Sequence, residues 1–369
     1  MNISSLPERL DIPAAWIGAD IREVPDTWRW HLSTAEVAEL EDAARAFLAQ
    51  YGGISHLGPE TFVVPALQAE LEALSTTLIH GIGFEVIRGI SVERIGVELA
   101  STIFCGIGAH LGSARSQNAD GHLLGHVRDV GADSRDPNTR IYQTRERQTF
   151  HTDSSDVVGL LCLNEARQGG DSLLVSAVTI YNAFRRDRPD LLPYLFENIA
   201  TDRRGEVPPG EKPFFTIPVF SWHAGFLTAM YQRQYIDSAQ RFPDAPKLTA
   251  NHVEALDLFD ALANDSRLHF SMRLERGDMQ FVYNHSLLHD RTGFIDWPEP
   301  DRRRHMLRLW LSMPGDRPLP ECFAQRYGSI KIGDRGGVIV GRGGPLPPAL
   351  SFNADAPQAA LGAVRRRAG

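Results

Sequence analysis

The hydrophobic pattern of this 369-residue chain changes its period at about residue 140. Before that point, apolar residues recur every three or four positions, which is typical of amphipathic helices. After it, they alternate with polar residues or run together in short stretches between glycines, which is typical of strands. Because regular strand–helix alternation is missing, the sequence predicts an α+β fold with a β-rich core rather than a doubly wound sheet.

An N-terminal helical region covers about residues 1–110. Ser33 and Glu36 form a capping box at the start of its first helix, and Gly52-Gly53 end that helix. Glycines bracket an alternating segment farther on, which indicates a strand. The elements predicted in this region are helices at 33–52, 66–80 and about 92–105, and a strand at 83–89.

The β-rich part begins near Arg140 and is interrupted by two further helices. Pro, Gly and aromatic residues are frequent over 201–230, which predicts a long functional loop region. The other predicted elements are strands at 148–164, 170–178, 268–274, 279–284 and 304–313, and helices at 179–200 and 251–264. We expect one domain over 1–335, followed by a Gly/Pro/Ala-rich tail or arm over 336–369.

Charge and composition narrow the class of partner. Acidic residues outnumber basic ones by 46 to 38, a net charge of −8 that disfavours nucleic acid or an anionic membrane as a partner. No apolar run of 18 residues and no signal-like N-terminus occur, so we expect a cytoplasmic protein. Three widely spaced cysteines indicate neither a disulfide framework nor a cysteine zinc site. A small-molecule substrate is therefore expected, and a homo-oligomer is left open.

His151-Thr152-Asp153 is the first candidate for chemistry. On a strand, residues two apart point to the same face, so His151 and Asp153 could reach one ion. His289 follows 138 residues later and precedes an arginine-studded strand that includes Arg308. Two histidines and one carboxylate make a facial triad that suits iron(II) and leaves room for an organic chelate and dioxygen. A buried arginine could hold the distal carboxylate of an oxoacid chelate in a bidentate fork.

These residues resemble the non-haem iron(II), 2-oxoglutarate-dependent dioxygenases of the taurine dioxygenase and clavaminate synthase-like family. The resemblance covers about residues 25–330, and the ordered combination of motifs is more specific than any one of them. The matching segments are His151-Thr152-Asp153, Gly169-Gly170-Asp171-Ser172, Gly277-Asp278 through Asn284 to His289, and Arg304 to Trp310.

The resemblance implies a double-stranded β-helix, or jelly-roll, core with flanking helices. It also implies a reaction in which dioxygen and 2-oxoglutarate are converted to succinate and carbon dioxide while a C–H bond of a small polar or amino-acid-like metabolite is hydroxylated. The implied iron(II) ligands are His151, Asp153 and His289, and the implied contacts of the 2-oxoglutarate distal carboxylate are Arg308 and Ser172, with Arg304 near the same pocket.

Substrate contacts are predicted at two places. Gln117 and Asn118 could line the pocket, and Arg203 and Arg204 lie in the irregular region that, by resemblance, forms part of a lid over the metal. Ordinary loop hydrogen bonding or solvation would also account for these four residues.

The sequence leaves other interpretations of the function and of the metal ligands open. The same triad could hold zinc in a hydrolase, although this leaves Arg308 and Ser172 without a role. A jelly-roll binding module without turnover is a second alternative. His285 could replace His289 as a ligand, and His122 and His126 have the spacing of a helical zinc pair but lack the glutamate that usually accompanies it.

Overall fold

Two β-sheets pack face to face in the computed structural model of the protein, which describes residues 5–51, 56–118, 121–133 and 139–338. The apolar layer between them takes Trp310 and Val158 from one sheet and Leu174 and Leu287 from the other. Gly52-Gly53, predicted to end the first helix, and most of the predicted tail lie outside the described residues. Mixed helix and strand content confirms the predicted α+β class.

The helices are α1 (Gly18–Arg22), α2 (Thr34–Tyr51), α3 (Gln68–Ile79), α4 (Val92–Ile95), α5 (Val97–Leu111), α6 (Ala177–Asp187), α7 (Leu192–Leu195), α8 (Arg233–Ala239), α9 (Ala250–Ala263) and α10 (Ala324–Tyr327). Short 3₁₀ turns cover Pro25–Thr27, Pro65–Leu67, Ile141–Gln143, Pro300–Arg302 and Glu321–Phe323. No helix in the described ranges is long and apolar enough to cross a membrane.

The strands are β1 (Arg29–His31), β2 (Phe84–Arg88), β3 (Ser113–Ala114), β4 (Leu124–Val127), β5 (Gln148–His151), β6 (Val157–Asn164), β7 (Gln168–Gly169), β8 (Ser172–Ser176), β9 (Ile199–Asp202), β10 (Phe214–Ile217), β11 (Phe220–His223), β12 (Phe226–Ala229), β13 (Phe270–Met272), β14 (Met279–Tyr283), β15 (Leu287–Arg291), β16 (Phe294–Ile295) and β17 (His305–Ser312).

The larger sheet has the order β1-β2-β14-β6-β17-β3, with β4 also paired to β17. The smaller sheet has the order β13-β8-β15-β5 and is antiparallel throughout. Helices α2, α3 and α5 cover the outer face of the larger sheet, and α6 and α9 cover the outer face of the smaller one. Both sheets therefore have an apolar outer layer and share an inner one, which is the layering that places a site between them.

Most predicted elements are present, and local chemistry explains them. Ser33 and Glu36 exchange the two hydrogen bonds of a capping box, at 2.6 and 3.3 Å, directly before α2. The helix predicted over about 92–105 is instead two helices, because Gly96 adopts a φ of 83° between them.

The structure differs from the prediction at three places that affect the site. The strand predicted over 148–164 is broken into β5 and β6 by residues 152–156. The region 201–230, predicted as a loop, contains the hairpin of β11 and β12 and most of a second pair, β9 with β10. The strand β15, which carries His289, was not predicted at all.

The chain continues past β17 to pack again on the core. Arg335 has no exposed surface, and Gly337 and Val338 donate backbone hydrogen bonds to the carbonyls of Ser154 and Ser116, at 2.7 and 2.8 Å. The described start of the segment predicted as a tail is thus bound to the loop between β5 and β6.

Candidate active site

His151 and His289 face each other across two paired strands. His151 is the last residue of β5, His289 is the middle residue of β15, and the two are directly opposed in the antiparallel register. Their ring centroids are 4.2 Å apart. Strand pairing alone therefore brings together two imidazoles that are far apart in sequence.

Asp153 reaches this pair from the loop after β5, so the prediction that it shares a strand face with His151 was wrong. The loop is held at both ends of the Thr152-Asp153 dipeptide: Thr152 donates to the Tyr231 carbonyl at 2.9 Å, and the Asp153 amide donates to Asn284 Oδ1 at 3.0 Å. Because Asn284 directly follows β14, the larger sheet fixes the position of the carboxylate.

The three side chains converge on one point. Asp153 Oδ1 is 3.8 Å from His151 Nε2, and Asp153 Oδ2 is 3.6 Å from His289 Nε2. Each of the three residues has one potential metal-ligand atom here, and these three atoms lie within 4.8 Å of one another. A carbonyl, that of Thr149, lies 2.9 Å from His151 Nδ1, so Nδ1 carries the proton and Nε2 presents its lone pair to the site.

The electrostatics of the cluster keep the His151 imidazole neutral and the Asp153 carboxylate ionised. Burial, together with the neighbouring His289, lowers the pKa of His151 to about 3. Burial alone would raise the pKa of Asp153, but Arg308 and His289 outweigh it and hold that pKa well below its usual range. Neutral imidazole and ionised carboxylate are the forms that bind a metal.

Trp310 and Arg308 hold the outer side of this carboxylate. Trp310 Nε1 donates to Asp153 Oδ2 at 2.7 Å, and Arg308 Nη1 is 3.6 Å from the same oxygen. Arg308 Nε also donates to Gln117 Oε1 at 2.7 Å, and its guanidinium stacks between Tyr142 and Trp310. The role of Trp310 was missed, although its spacing of two from Arg308 on β17 places both on the inner face.

An inner cavity extends from the two histidines between the sheets. Ser172, Arg291, Arg304 and Arg308 are among the residues that line it. Burial lowers the pKa of Arg304 to about 10, and burial together with Arg304 lowers that of Arg291 to about 9. Nη1 of Arg304 is buried without a hydrogen-bond partner among the described residues. This cavity is therefore suited to an anion.

Ser172 lies at the same cavity and donates to Gln280 Oε1 at 2.9 Å. Arg291 was not predicted as a site residue, because nothing in the sequence marks a third arginine two positions after His289 as buried. Its guanidinium is held in place by the carbonyls of Thr144 and Glu146.

An outer cavity opens on the Asp153 side of the triad. Its walls include Asp153, Trp310, Tyr235, Arg308 and, from the short helix α10, Arg326. Gln148 and Arg308 line both cavities, so the triad lies on the partition between them.

The four predicted substrate contacts lie behind these walls. Gln117 holds Arg308 from behind: its Oε1 accepts from Arg308 Nε, and its Nε2 donates to the Arg308 carbonyl at 2.6 Å. The Nδ2 atom of Asn118 lies 2.9 Å from Nδ1 of His122. Arg203 donates to the Gln325 carbonyl at 2.7 Å, and Arg204 donates to the Thr139 carbonyl at 3.1 Å. None of these four side chains lines either cavity, and their role as substrate contacts stays a prediction.

His285 belongs to a different cluster. It is fully buried, and its Nε2 lies 2.8 Å from Asp156 and 3.7 Å from Asp316. Arg335 bridges the same two carboxylates at 2.8 and 2.7 Å, so a cation already occupies the position that a metal would take. This excludes His285 from the triad.

The alternative zinc pair is also excluded. His126 lies on strand β4 rather than on a helix, and its Nδ1 contacts His305 Nε2 at 2.8 Å. His122 instead contacts Asn118.

Comparison with known proteins identifies relatives of this chain. Residues 48–310 match the model of the taurine catabolism dioxygenase TauD, TfdA family. The chain is 33% identical to FR-33289 synthase of Streptomyces rubellomurinus over 329 residues, which cover 86% of this chain and 94% of that protein. It is 32% identical to the taurine hydroxylase-like protein SAT17 of Stachybotrys chartarum, over 82% of this chain and 80% of that protein.

A solved structure shares the fold. Asparagine oxygenase in complex with Fe(II), (2S,3S)-3-hydroxyasparagine and succinate superposes with a TM-score of 0.61 at 17% identity, covering 77% of this chain and 93% of that one.

Proposed function

The chain belongs to the taurine catabolism dioxygenase TauD, TfdA family and is a 2-oxoglutarate-dependent dioxygenase; from this premise we propose that His151, Asp153 and His289 bind its iron(II) ion. We further propose that it hydroxylates a C–H bond of a small polar or amino-acid-like metabolite on a double-stranded β-helix core. The observation that carries the proposal is the convergence of the three ligand atoms within 4.8 Å between two cavities.

The donor set fits iron(II). Two imidazole nitrogens and one carboxylate oxygen form a facial triad with open positions, and hydrogen bonds to His151 and Asp153 orient the ligands from behind. The inner cavity adds Nη1 of Arg304, which has no hydrogen-bond partner among the described residues and fits the distal carboxylate of an oxoacid. A zinc hydrolase would leave this buried cation without a role.

The geometry supports exchanging the roles of the two arginines. Arg308 touches Asp153, so it lies beside the metal position, whereas a distal carboxylate must lie farther along the inner cavity. Arg304 is four strand positions away, roughly 13 Å at the usual rise, and lines the inner cavity with Ser172. We therefore assign the distal carboxylate of 2-oxoglutarate to Arg304 and Ser172, and Arg308 to the metal end.

The chemistry can be divided between cofactor and protein. When bound, iron(II) and 2-oxoglutarate supply the activation of dioxygen, in which one oxygen atom enters succinate, carbon dioxide leaves, and the other oxygen atom enters the substrate C–H bond. Trp310 fixes the rotation of the Asp153 carboxylate, and Arg308 keeps it ionised. Arg304 is buried at the inner cavity, and this low exposure strengthens the charge contacts that its guanidinium can make.

The test is an anaerobic titration of the metal-free protein with iron(II) and 2-oxoglutarate, followed by the visible charge-transfer absorption of a bidentate oxoacid chelate. Wild-type protein should develop the band at one equivalent, and Asp153→Ala should need far more iron, because one of three ligands is lost. Arg304→Gln should raise the 2-oxoglutarate concentration for half-saturation by roughly 30-fold or more, equivalent to about 2 kcal/mol or more for a buried charge-assisted pair.

Arg303→Gln is the matched control, because Arg303 is the exposed neighbour of Arg304. Folded, iron-loaded wild-type protein without the band would contradict the proposed function. An unchanged 2-oxoglutarate requirement in Arg304→Gln, with a raised one in Arg308→Gln, would restore the assignment made from the sequence.

A further inference from the structure

The outer cavity contains a buried cation that the proposed chemistry does not use. We propose that Arg326 is the recognition residue for the substrate and that the substrate carries an anionic group, a carboxylate or a tetrahedral phosphonate or sulfonate, bound by this guanidinium. The inference rests on the proposed function and deepens it by naming the charge of the substrate.

Arg326 is positioned as a ligand-binding side chain would be. It is 7% exposed and lines the outer cavity with Asp153, Ser154 and Trp310. Its Nε donates to Oγ of Ser154 at 2.7 Å, and this bond fixes the position of the guanidinium. Ser154 directly follows Asp153 in the sequence. In the part of the chain that the structure describes, the two terminal nitrogens of Arg326 donate no hydrogen bond to the protein. They are therefore free to bind a ligand beside the triad.

The neighbours of Arg326 make its charge costly. No carboxylate of the described residues lies within 4 Å of it. Burial, with smaller contributions from the nearby Arg140 and Arg203, lowers its pKa to about 10. Arg140 is paired with Glu206, and Arg203 is 3.8 Å from Glu211, so each of these two has an acidic partner. Arg326 alone of the three has none, which is the electrostatic situation that a bound anion would relieve.

The charges that line the cavity also specify the sign of the ligand. Among the described lining residues the cations are Arg140, Arg308 and Arg326, and the only acid is Asp153, which the proposed function assigns to iron. With Asp153 bound to iron, an ammonium group would find no other carboxylate among the described lining residues. An anionic substrate would instead meet a positive wall on the side of the triad opposite the inner cavity.

This residue lies outside the segment shared with the family model. That match ends at residue 310, and Arg326 follows on α10, whose Tyr327 packs in a hydrophobic cluster with Phe215 and Phe323. The substrate contact is thus proposed for a C-terminal segment of this chain rather than for the common core.

The experiment uses wild-type protein loaded anaerobically with iron(II) and 2-oxoglutarate, with methylphosphonate as the probe and its ³¹P line width as the readout of binding. Methanesulfonate and acetate are added as competitors and distinguish tetrahedral from planar anions. Methylammonium and methanol are controls of similar size. We expect the anions to displace the probe and the other two compounds to leave its line width unchanged.

Variants then assign the binding to one residue. Arg326→Gln should weaken methylphosphonate binding at least tenfold, and Arg326→Lys should keep part of it, since the charge remains but the fork is lost. Ser154→Ala should weaken it less, because it only releases the orientation of Nε. Exposed Arg303 provides the control, and Arg303→Gln should bind as the wild type does.

The outcomes separate the two proposals. Wild-type protein that forms the iron(II)–2-oxoglutarate complex but does not bind the anions, or binds methylammonium in preference to them, overturns the inference and leaves the proposed function intact. Equal binding by Arg326→Gln, folded as judged by its unfolding midpoint, also overturns it. Wild-type protein that forms no such complex contradicts the proposed function itself. If Arg326→Gln does not fold, the wild-type competition series and Ser154→Ala still decide the question.

Discussion

Replacing Arg335 by methionine tests the idea that the segment after β17 is held by buried charge. Arg335 has no exposed surface and donates to Asp156 Oδ1 at 2.8 Å, to Asp316 Oδ2 at 2.7 Å and to the Arg317 carbonyl at 2.8 Å. Both carboxylates are themselves fully buried. Among the described residues, Arg335→Met removes the arginine that bridges them and leaves His285 Nε2, which lies 2.8 Å from Asp156, beside the two buried carboxylates.

The expected loss can be worked from these contacts. Hydrogen bonds to charged groups contribute roughly 1.5–3 kcal/mol each, so the two carboxylate contacts are equivalent to about 3–6 kcal/mol. The apolar methionine side chain recovers part of this by burial. Removing one partner of a buried ion pair typically costs about 3–5 kcal/mol, and we expect the free energy of unfolding to fall by that amount.

Urea unfolding followed by circular dichroism and by tryptophan fluorescence measures this loss. Arg276→Met is the matched control, because Arg276 pairs with Glu93 at 3.0 Å at the surface and should change the free energy of unfolding by less than about 1 kcal/mol. If Arg335→Met loses no more than this control, the cluster around Asp156 contributes nothing that water and local rearrangement cannot replace, and the reasoning is refuted.

Two further predictions concern stability. Burial raises the pKa of Glu85 to about 7, so the folded state binds the extra proton between pH 4.5 and 7 and loses stability as pH rises through that window. In thermal unfolding, the free energy of unfolding of Glu85→Gln relative to that of the wild type should therefore rise by about 1–2 kcal/mol between pH 5 and pH 8. This value is reduced because Glu85 is partly exposed. The exposed control Glu23→Gln should show no such rise. Gly277 has a φ of 94°, and a Cβ there would lie 1.9 Å from the Ile90 carbonyl oxygen. Gly277→Ala should cost more than about 3 kcal/mol in urea unfolding, and Gly315→Ala, which has a similar φ and open space, only about 1 kcal/mol; equal losses would show that the close approach does not matter.

The residues of the candidate site were easier to pick out from the sequence than the strands that carry them. His151 and His289 were recognised because their residue types and order match a known motif, and the motif does not depend on where the strands end. Strand β15 was missed because Asp290 and Arg291 interrupt its apolar pattern. Both are buried in the structure, where Arg147 pairs with Asp290 and backbone carbonyls accept from Arg291. Such tertiary compensation leaves no local signal.

The position of Asp153 shows the same limit. The two-residue spacing from His151 suggested one strand face, but the carboxylate is placed by Asn284, which is 131 positions away. Arg326 and Arg335 could not be found from the sequence either. Their neighbours Ser154 and Asp156 lie in that same loop, and no pattern within one segment records a pairing with another.

The direct opposition of His151 and His289 also has a consequence for assembly of the chain. An ion bound by both closes a loop of 138 residues, and closing a loop of this length in an unstructured chain costs about 4 kcal/mol in entropy. In the folded chain, the pairing of β5 with β15 has already closed this loop before an ion binds. The ion then acts as a cross-link that is available only to the folded chain, so its binding free energy adds to the stability of the folded state. Any change that loosens this one strand pair, however far from the ligands, should therefore weaken metal binding.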